Sequence, residues 1–193
     1  MLTKREVARV FREGTREEQL RVVYGTSYQA RWDHYDGFWD DPDIALREFR
    51  DCILPGYAAE ERVERDYLIP AKDEGVWKDY ALDSLNDWHF MKGDPILRVA
   101  GDYDKPDGRL WDMRGNEFTF DIKETKRPVF YDDDDELVGP GVCFRQTHGA
   151  NIIFLYQRQE NKLYFYSIGL DDKGNLTAKK VLPDYQFNKE SWR

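Results

Sequence analysis

The chain has 193 residues, a formal charge of −9, 35% charged side chains and 15% aromatics. That much aromatic area excludes a wholly disordered chain. The lack of any run of ~18 apolar residues excludes a membrane-spanning helix, and the acidic balance excludes a binder held to nucleic acid by a basic surface alone.

The charge is uneven: Asp132-Asp133-Asp134-Asp135-Glu136 alone carries −5, while residues 142–193 hold 8 basic and 5 acidic side chains. The length suits an N-terminal helical arm over 1–56 followed by a core over 57–193, or one continuous domain 1–193. The N-terminal stretch MLTKREVARVFREG mixes charge with apolar residues and has no apolar signal-peptide region. Cys52 and Cys143 lack metal-type or CxxC spacing. A reduced, cytoplasmic chain is expected.

The first half reads as helical. Thr3 with Glu6, and Thr15 with Glu18, fit capping boxes. Val7, Val10 and Phe11, then Leu20, Val23 and Tyr24, recur at helical spacing, and Gly14 and Gly25 fall where helices end. An aromatic patch follows at Tyr28, Trp32, Tyr35, Phe38 and Trp39. Asp41-Pro42 opens a third helix, and Pro55-Gly56 is expected to stop it near Leu54. Residues 58–69 read ambiguously, and 74–91 carry a helical stripe (Val76, Trp77, Tyr80, Ala81, Leu85, Trp88).

The second half changes period. Strands are expected near 96–103, 109–114, 117–124, 151–159, 163–169 and 176–181. Gly115-Asn116 signals a two-residue hairpin. Helices first and strands second give an α+β fold, a mixed sheet flanked by helices.

With Gly115-Asn116 at the tip, Arg114 faces Glu117, Asp112 faces Thr119 and Leu110 faces Asp121. Alternation then puts Trp111, Met113, Phe118, Phe120 and Ile122 on a core face, and Leu110, Asp112, Thr119, Asp121 and Lys123 on the other. Asp121 and Lys123 together suit divalent-metal chemistry. A carboxylate supplies a hard oxygen ligand, and an adjacent ammonium assists a metal-bound water or an attacked phosphate. Strict pairing in this register sets Asp107 opposite Glu124, which leaves Asp112 as an alternative partner for Asp121.

Pro106-Asp107, thirteen intervening residues and Asp121-Ile122-Lys123 resemble the signature of the PD-(D/E)xK (restriction-endonuclease-like) nuclease superfamily over roughly residues 95–125. The resemblance implies a restriction-endonuclease-like fold and phosphodiester hydrolysis with Mg²⁺ or Mn²⁺. Asp107 and Asp121 would be metal ligands, with Asp112 as substitute, and Lys123 would sit by the attacking water. It also implies an auxiliary acid from the preceding helix (Glu74, Asp79 or Asp83), a polar helper at Gln146, a nucleic-acid substrate (DNA ahead of RNA) and a possible homodimer. The stretch between Lys123 and residue 151 departs from the family by leaving room only for a short helix near Cys143–His148.

A non-enzymatic acidic module that binds a protein partner is the competing expectation, motivated by the charge, the acidic run and the aromatic patch. The acidic run lacks EF-hand spacing and reads as a mobile solvated loop. His34, His89 and His148 lack zinc-type spacing, and no phosphate-loop or dinucleotide motif is present.

Overall fold

The computed structural model describes residues 2–25, 41–84, 88–89, 106–140, 142 and 149–188. The aromatic patch at 28–39, the strand expected at 96–103, Gln146 and the short helix expected near Cys143–His148 lie outside them. The chain divides into two compact units: Met1–Ala58 with Ser84–Tyr103, and Ala59–Asp83 with Asp104–Arg193. Among the described residues no helix is long and apolar enough to cross a membrane.

The first unit is built on local signals. Strand β1 (Leu2–Thr3) leads into α1 (Lys4–Glu13). The Thr3 amide donates to Glu6 Oε2 at 2.7 Å and the Glu6 amide to Thr3 Oγ1 at 3.2 Å, a complete capping box. The same exchange between Thr15 and Glu18 opens α2 (Arg16–Gly25). Asp41 caps α3 (Pro42–Glu48) by accepting the amides of Asp43 and Ile44. Val7, Val22, Val23, Ala45, Leu46, Phe49 and Tyr57 form the core, with Phe11 stacked on Phe49 at 4.9 Å.

Helical structure does not stop at Pro55-Gly56, as the sequence reading expects. A π-helical turn, Phe49–Ile53, joins α3 to α4 (Leu54–Val63). A second, Glu64–Leu68, joins α4 to α5 (Ile69–Asp73). Each precedes a proline. A proline inside a helix lacks an N–H, and its ring clashes with the carbonyl four residues back. Widening the turn to π pitch relieves that clash. For Pro70 the carbonyl in question is that of Asp66, and it accepts the Tyr185 hydroxyl at 3.1 Å.

Over the described residues of 74–91, the expected helix is also replaced. Gly75 adopts φ +73°. The Val76 amide bonds the Ala71 carbonyl at 2.8 Å and the Gly75 amide the Lys72 carbonyl at 3.0 Å, a Schellman stop. The chain then extends as β2 (Asp79–Leu82). In the first unit, β3 (Trp88–His89) pairs with β1.

The second unit is a seven-stranded mixed sheet. Its strands are β2, β4 (Gly108–Trp111), β5 (Glu117–Thr125), β8 (Ile152–Gln157), β9 (Lys162–Leu170), β10 (Leu176–Lys180) and β11 (Tyr185–Gln186). The order is β10-β9-β8-β5-β4-β2, with β11 also on β9. Only β5–β8 is parallel; the other pairs are antiparallel. The architecture is α+β.

Between β5 and β8 a small hairpin forms, β6 (Phe130–Tyr131) with β7 (Leu137–Val138). It supplies Val129, Leu137 and Tyr131 to a core with Ile153, Leu155, Tyr164, Tyr166 and Ala178. On the opposite face Phe120 stacks on Phe154 at 4.8 Å, and Tyr67 meets Phe154 and Phe165 at 5.8 and 5.0 Å. Burial on both faces is why β8 and β9 read as continuous apolar runs rather than alternating ones.

Candidate active site

The geometry begins at the β4–β5 turn. It is not the two-residue Gly115-Asn116 turn but a five-residue one, Asp112–Asn116. The Asp112 carboxylate accepts the amides of Arg114 and Asn116 at 2.8 and 2.9 Å and the Asn116 side-chain amide at 2.8 Å. Gly115 takes φ +87°, where a side chain is costly.

The same turn recurs between β9 and β10. Asp171 accepts from Lys173, Asn175 and the Asn175 side chain, and Gly174 has φ +80°. The acidic run forms a third copy. Asp132 Oδ1 accepts the amides of Asp134 and Glu136, and Asp135 fills the left-handed position at φ +60°. The run expected as a solvated loop therefore forms the hydrogen-bonded tip of the β6–β7 hairpin.

The longer turn shifts the register by three residues. Trp111 pairs with Glu117, Leu110 with Phe118, Arg109 with Thr119 and Gly108 with Phe120. Three is odd, so the faces of β4 exchange. Leu110, fully buried, joins Phe120, and Trp111 moves to the Asp121 face. Met113 sits in the turn, 63% exposed, rather than in the core.

Asp107, one residue before the Gly108–Phe120 pair, falls opposite Asp121 rather than Glu124. Its Oδ2 accepts the Ile122 amide at 2.7 Å. The side chain thus takes over an edge amide of β5 where the β4 ladder ends.

Asp121 is fully buried, not on a solvated face. It is flanked along the sheet by Ile153 of β8. Lys123, two residues on and on the same face, is 19% exposed and forms an ion pair with Asp121 Oδ2. A buried carboxylate needs such a counter-charge, because leaving it alone in an apolar layer costs several kcal/mol, on the order of 3–5.

The remaining candidates are dispersed. Asp112 stands apart from the row: its carboxylate accepts three hydrogen bonds inside the turn, and the Asn116 side-chain and backbone donors hold its pKa below the usual carboxylate range. Glu74 caps the end of α5 near Tyr185 and joins no carboxylate of the row. Asp79 is bound to Lys72 at 2.7 Å, which with the Tyr80 amide lowers its pKa. No helix presents these acids, because the segment is a turn and an edge strand. Asp83 lies just past β2, one register step beyond the Leu82–Gly108 pair, which lines it up with Asp107. Its carboxylate turns to Arg109 at 3.4 Å.

Among the described residues no set of three or more His, Cys, Asp or Glu side chains is arranged to hold a metal ion. The polar constellation is Asp107, Asp121 and Lys123, with Arg109 and Trp111 beside it. Arg109 and Trp111 escape a reading based on the two-residue turn. The signal that would have found them is the repeated spacing Asp-x-x-Gly-Asn at 112–116 and 171–175.

No family model matches this chain, no curated protein is similar to it in sequence, and no solved structure matches its fold.

Proposed function

We propose that this protein is a metal-dependent nuclease of the PD-(D/E)xK type that hydrolyses phosphodiester bonds in nucleic acid, DNA ahead of RNA. The observation that carries the reading is the register of β4 on β5. It puts Asp107 opposite Asp121, with Lys123 on the same face and ion-paired to Asp121.

The donor set suits Mg²⁺ or Mn²⁺. Both are hard ions, and Mg²⁺ binds through one or two carboxylates while keeping several waters. Asp107 and Asp121 would hold the ion. When bound there, it lowers the pKa of water and neutralises phosphate charge.

The protein's own groups do the rest. Asp121 anchors the Lys123 ammonium, so the lysine reaches the site without a search through rotamers. From that position Lys123 donates a hydrogen bond to the attacking water or to a non-bridging phosphate oxygen. The buried apolar flank, Ile153 and Leu155, lowers the local dielectric and strengthens both interactions. Water adds to phosphorus and gives up a proton to solvent, one P–O ester bond breaks, and the departing oxygen takes a proton from solvent.

The test is cleavage of linear and circular DNA and of RNA in Mg²⁺, Mn²⁺ or EDTA, with wild type, Asp107→Ala, Asp121→Ala and Lys123→Ala. Metal-dependent cleavage by the wild type and loss in all three variants is the expected result. Cleavage that survives Asp121→Ala, or none under any metal, overturns the reading.

A further inference from the structure

We propose that Arg109 and Trp111 form a binding strip for single-stranded nucleic acid beside the Asp107–Asp121 row. The inference rests on the nuclease reading for its meaning and names the substrate class of that site.

The strip follows from alternation. Arg109 and Trp111 occupy successive same-face positions of β4, and Asp107 precedes them by one further step just outside the strand, each step spanning ~6.7 Å. Arg109 is thus one step, and Trp111 two steps, from the carboxylate row. The Arg109 guanidinium lies 5.4 Å from the Trp111 ring centroid, so the two side chains make one cation–aromatic surface. Across β5 they face Thr119 and Glu117. The Thr119 hydroxyl and amide both donate to Asn151 Oδ1, at 3.0 and 2.8 Å, which fixes this edge of the strip.

Among the described residues, the face is covered on one side and exposed on the other. Toward β8–β10 it is covered by Val129, Leu137 and Tyr131. Toward β2, Arg109 is 44% and Asp83 55% exposed. A substrate strand therefore reaches Asp121 by running over β4.

The chemistry selects a single strand. A guanidinium fork binds phosphate oxygens, and an indole offers a stacking surface to any base. In a duplex the base faces are already stacked on their neighbours. Asp79, opposite Trp111, is neutralised by Lys72 at 2.7 Å, and the exposed Arg109–Asp83 pair, at 3.4 Å, opens to a competing phosphate. Glu117, exposed and opposite Trp111, repels a phosphate there and leaves the position to a base.

The experiment is fluorescence anisotropy of dye-labelled oligo-dT, oligo-rU and a short DNA duplex at fixed low salt in EDTA, so that binding is read without cleavage. Wild type is expected to hold the single strands more tightly than the duplex. Trp111→Ala should weaken single-strand binding roughly 5- to 150-fold, and Trp111→Phe should retain most of it. Arg109→Ala, an exposed change that spares the core, should weaken it too and lower the salt slope by about one.

Preference for one sugar or equal binding of both supports the strip and identifies the polymer. Duplex bound as tightly as single strand, no single-strand binding by the wild type, or folded Trp111→Ala with wild-type affinity overturns it. Trp111-dependent binding without cleavage in any metal retains the strip and removes the nuclease reading. Cleavage with Trp111-independent binding does the reverse.

Discussion

Gly108 lies directly under the ring of its pairing partner Phe120. A Cβ at residue 108 would stand 2.4 Å from Phe120 Cζ and 2.4 Å from the Ala81 carbonyl oxygen. Neither neighbour can yield easily: Phe120 is fully buried against Phe154, and Ala81 belongs to the adjoining strand β2. The absence of a side chain at 108 is what lets β4 seat closely between β2 and β5 and deliver Asp107 beside Asp121.

Gly108→Ala is therefore expected to destabilise the second unit by about 1–3 kcal/mol through overpacking, and Gly108→Val by more. Urea denaturation midpoints measure it. An alanine variant with wild-type stability would show that β4 can slide without cost, which would undo the account of how Asp107 is positioned.

Asp121 and Lys123 should behave as a coupled pair. Lys123→Ala leaves a fully buried carboxylate without its ammonium and is expected to cost about 3 kcal/mol. Combined with Asp121→Asn, the loss should fall below the sum of the single changes. A double-mutant cycle in urea reads this directly, and additivity would mean that the ion pair does not hold the site together.

The turn aspartates carry a pH signature. Asp112 is held below the usual carboxylate range by the Asn116 side chain and by backbone amides. A depressed folded-state pKa gives stability that is present above the unfolded pKa, about 3.9, and is lost as pH falls through the folded value. The stability gap between wild type and Asp112→Ala should be steady at neutral pH and narrow below about pH 4. Midpoints recorded from neutral to acid pH test this; a gap that widens on acidification contradicts it.

Tyr185→Phe removes the donor that serves the Asp66 carbonyl behind Pro70. The expected cost is about 1 kcal/mol, read from thermal or urea unfolding. Pro70→Ala should lessen that cost, because alanine restores an N–H to the helix. An unchanged Tyr185→Phe penalty in the Pro70→Ala background would show that the hydroxyl's contribution does not depend on the proline.

Features governed by neighbours within a few residues were legible from the chain alone. The Thr3–Glu6 and Thr15–Glu18 boxes and the Asp41 cap form as their spacing predicts, because donor and acceptor lie within one helical turn. The strands around 152–157 and 162–170 were legible from dense β-branched and aromatic runs, and that around 176–180 from the turn Asp172–Asn175 before it. Asp121 and Lys123 were legible as same-face neighbours, whereas Asp107 was legible as a residue type in a pattern but not as the residue opposite Asp121.

The misreadings share a cause: one local signal was read while another nearby decided. Pro55 looks like a helix stop, yet a π turn absorbs it. Val76, Trp77, Tyr80 and Ala81 sit at helical spacing, yet Gly75 ends the helix with a left-handed residue. Gly115-Asn116 looks like a two-residue turn, yet Asp112, three residues earlier, captures the amides that lengthen it.

By itself the sequence determined the helix starts, the α+β class and the identity of the acids and the lysine. These depend on short-range hydrogen bonds and hydrophobic period. Only the tertiary structure decided that Asp107 meets Asp121, that Trp111 shares their face and that Asp121 is buried. Each of these follows from a strand register, and a register is chosen by the packing of whole faces: Phe120 against Phe154, with Leu110 buried on the same side, and the β6–β7 hairpin against Ile153 and Leu155. A shift of three residues in one turn leaves composition and period untouched, yet it reverses which side chains meet.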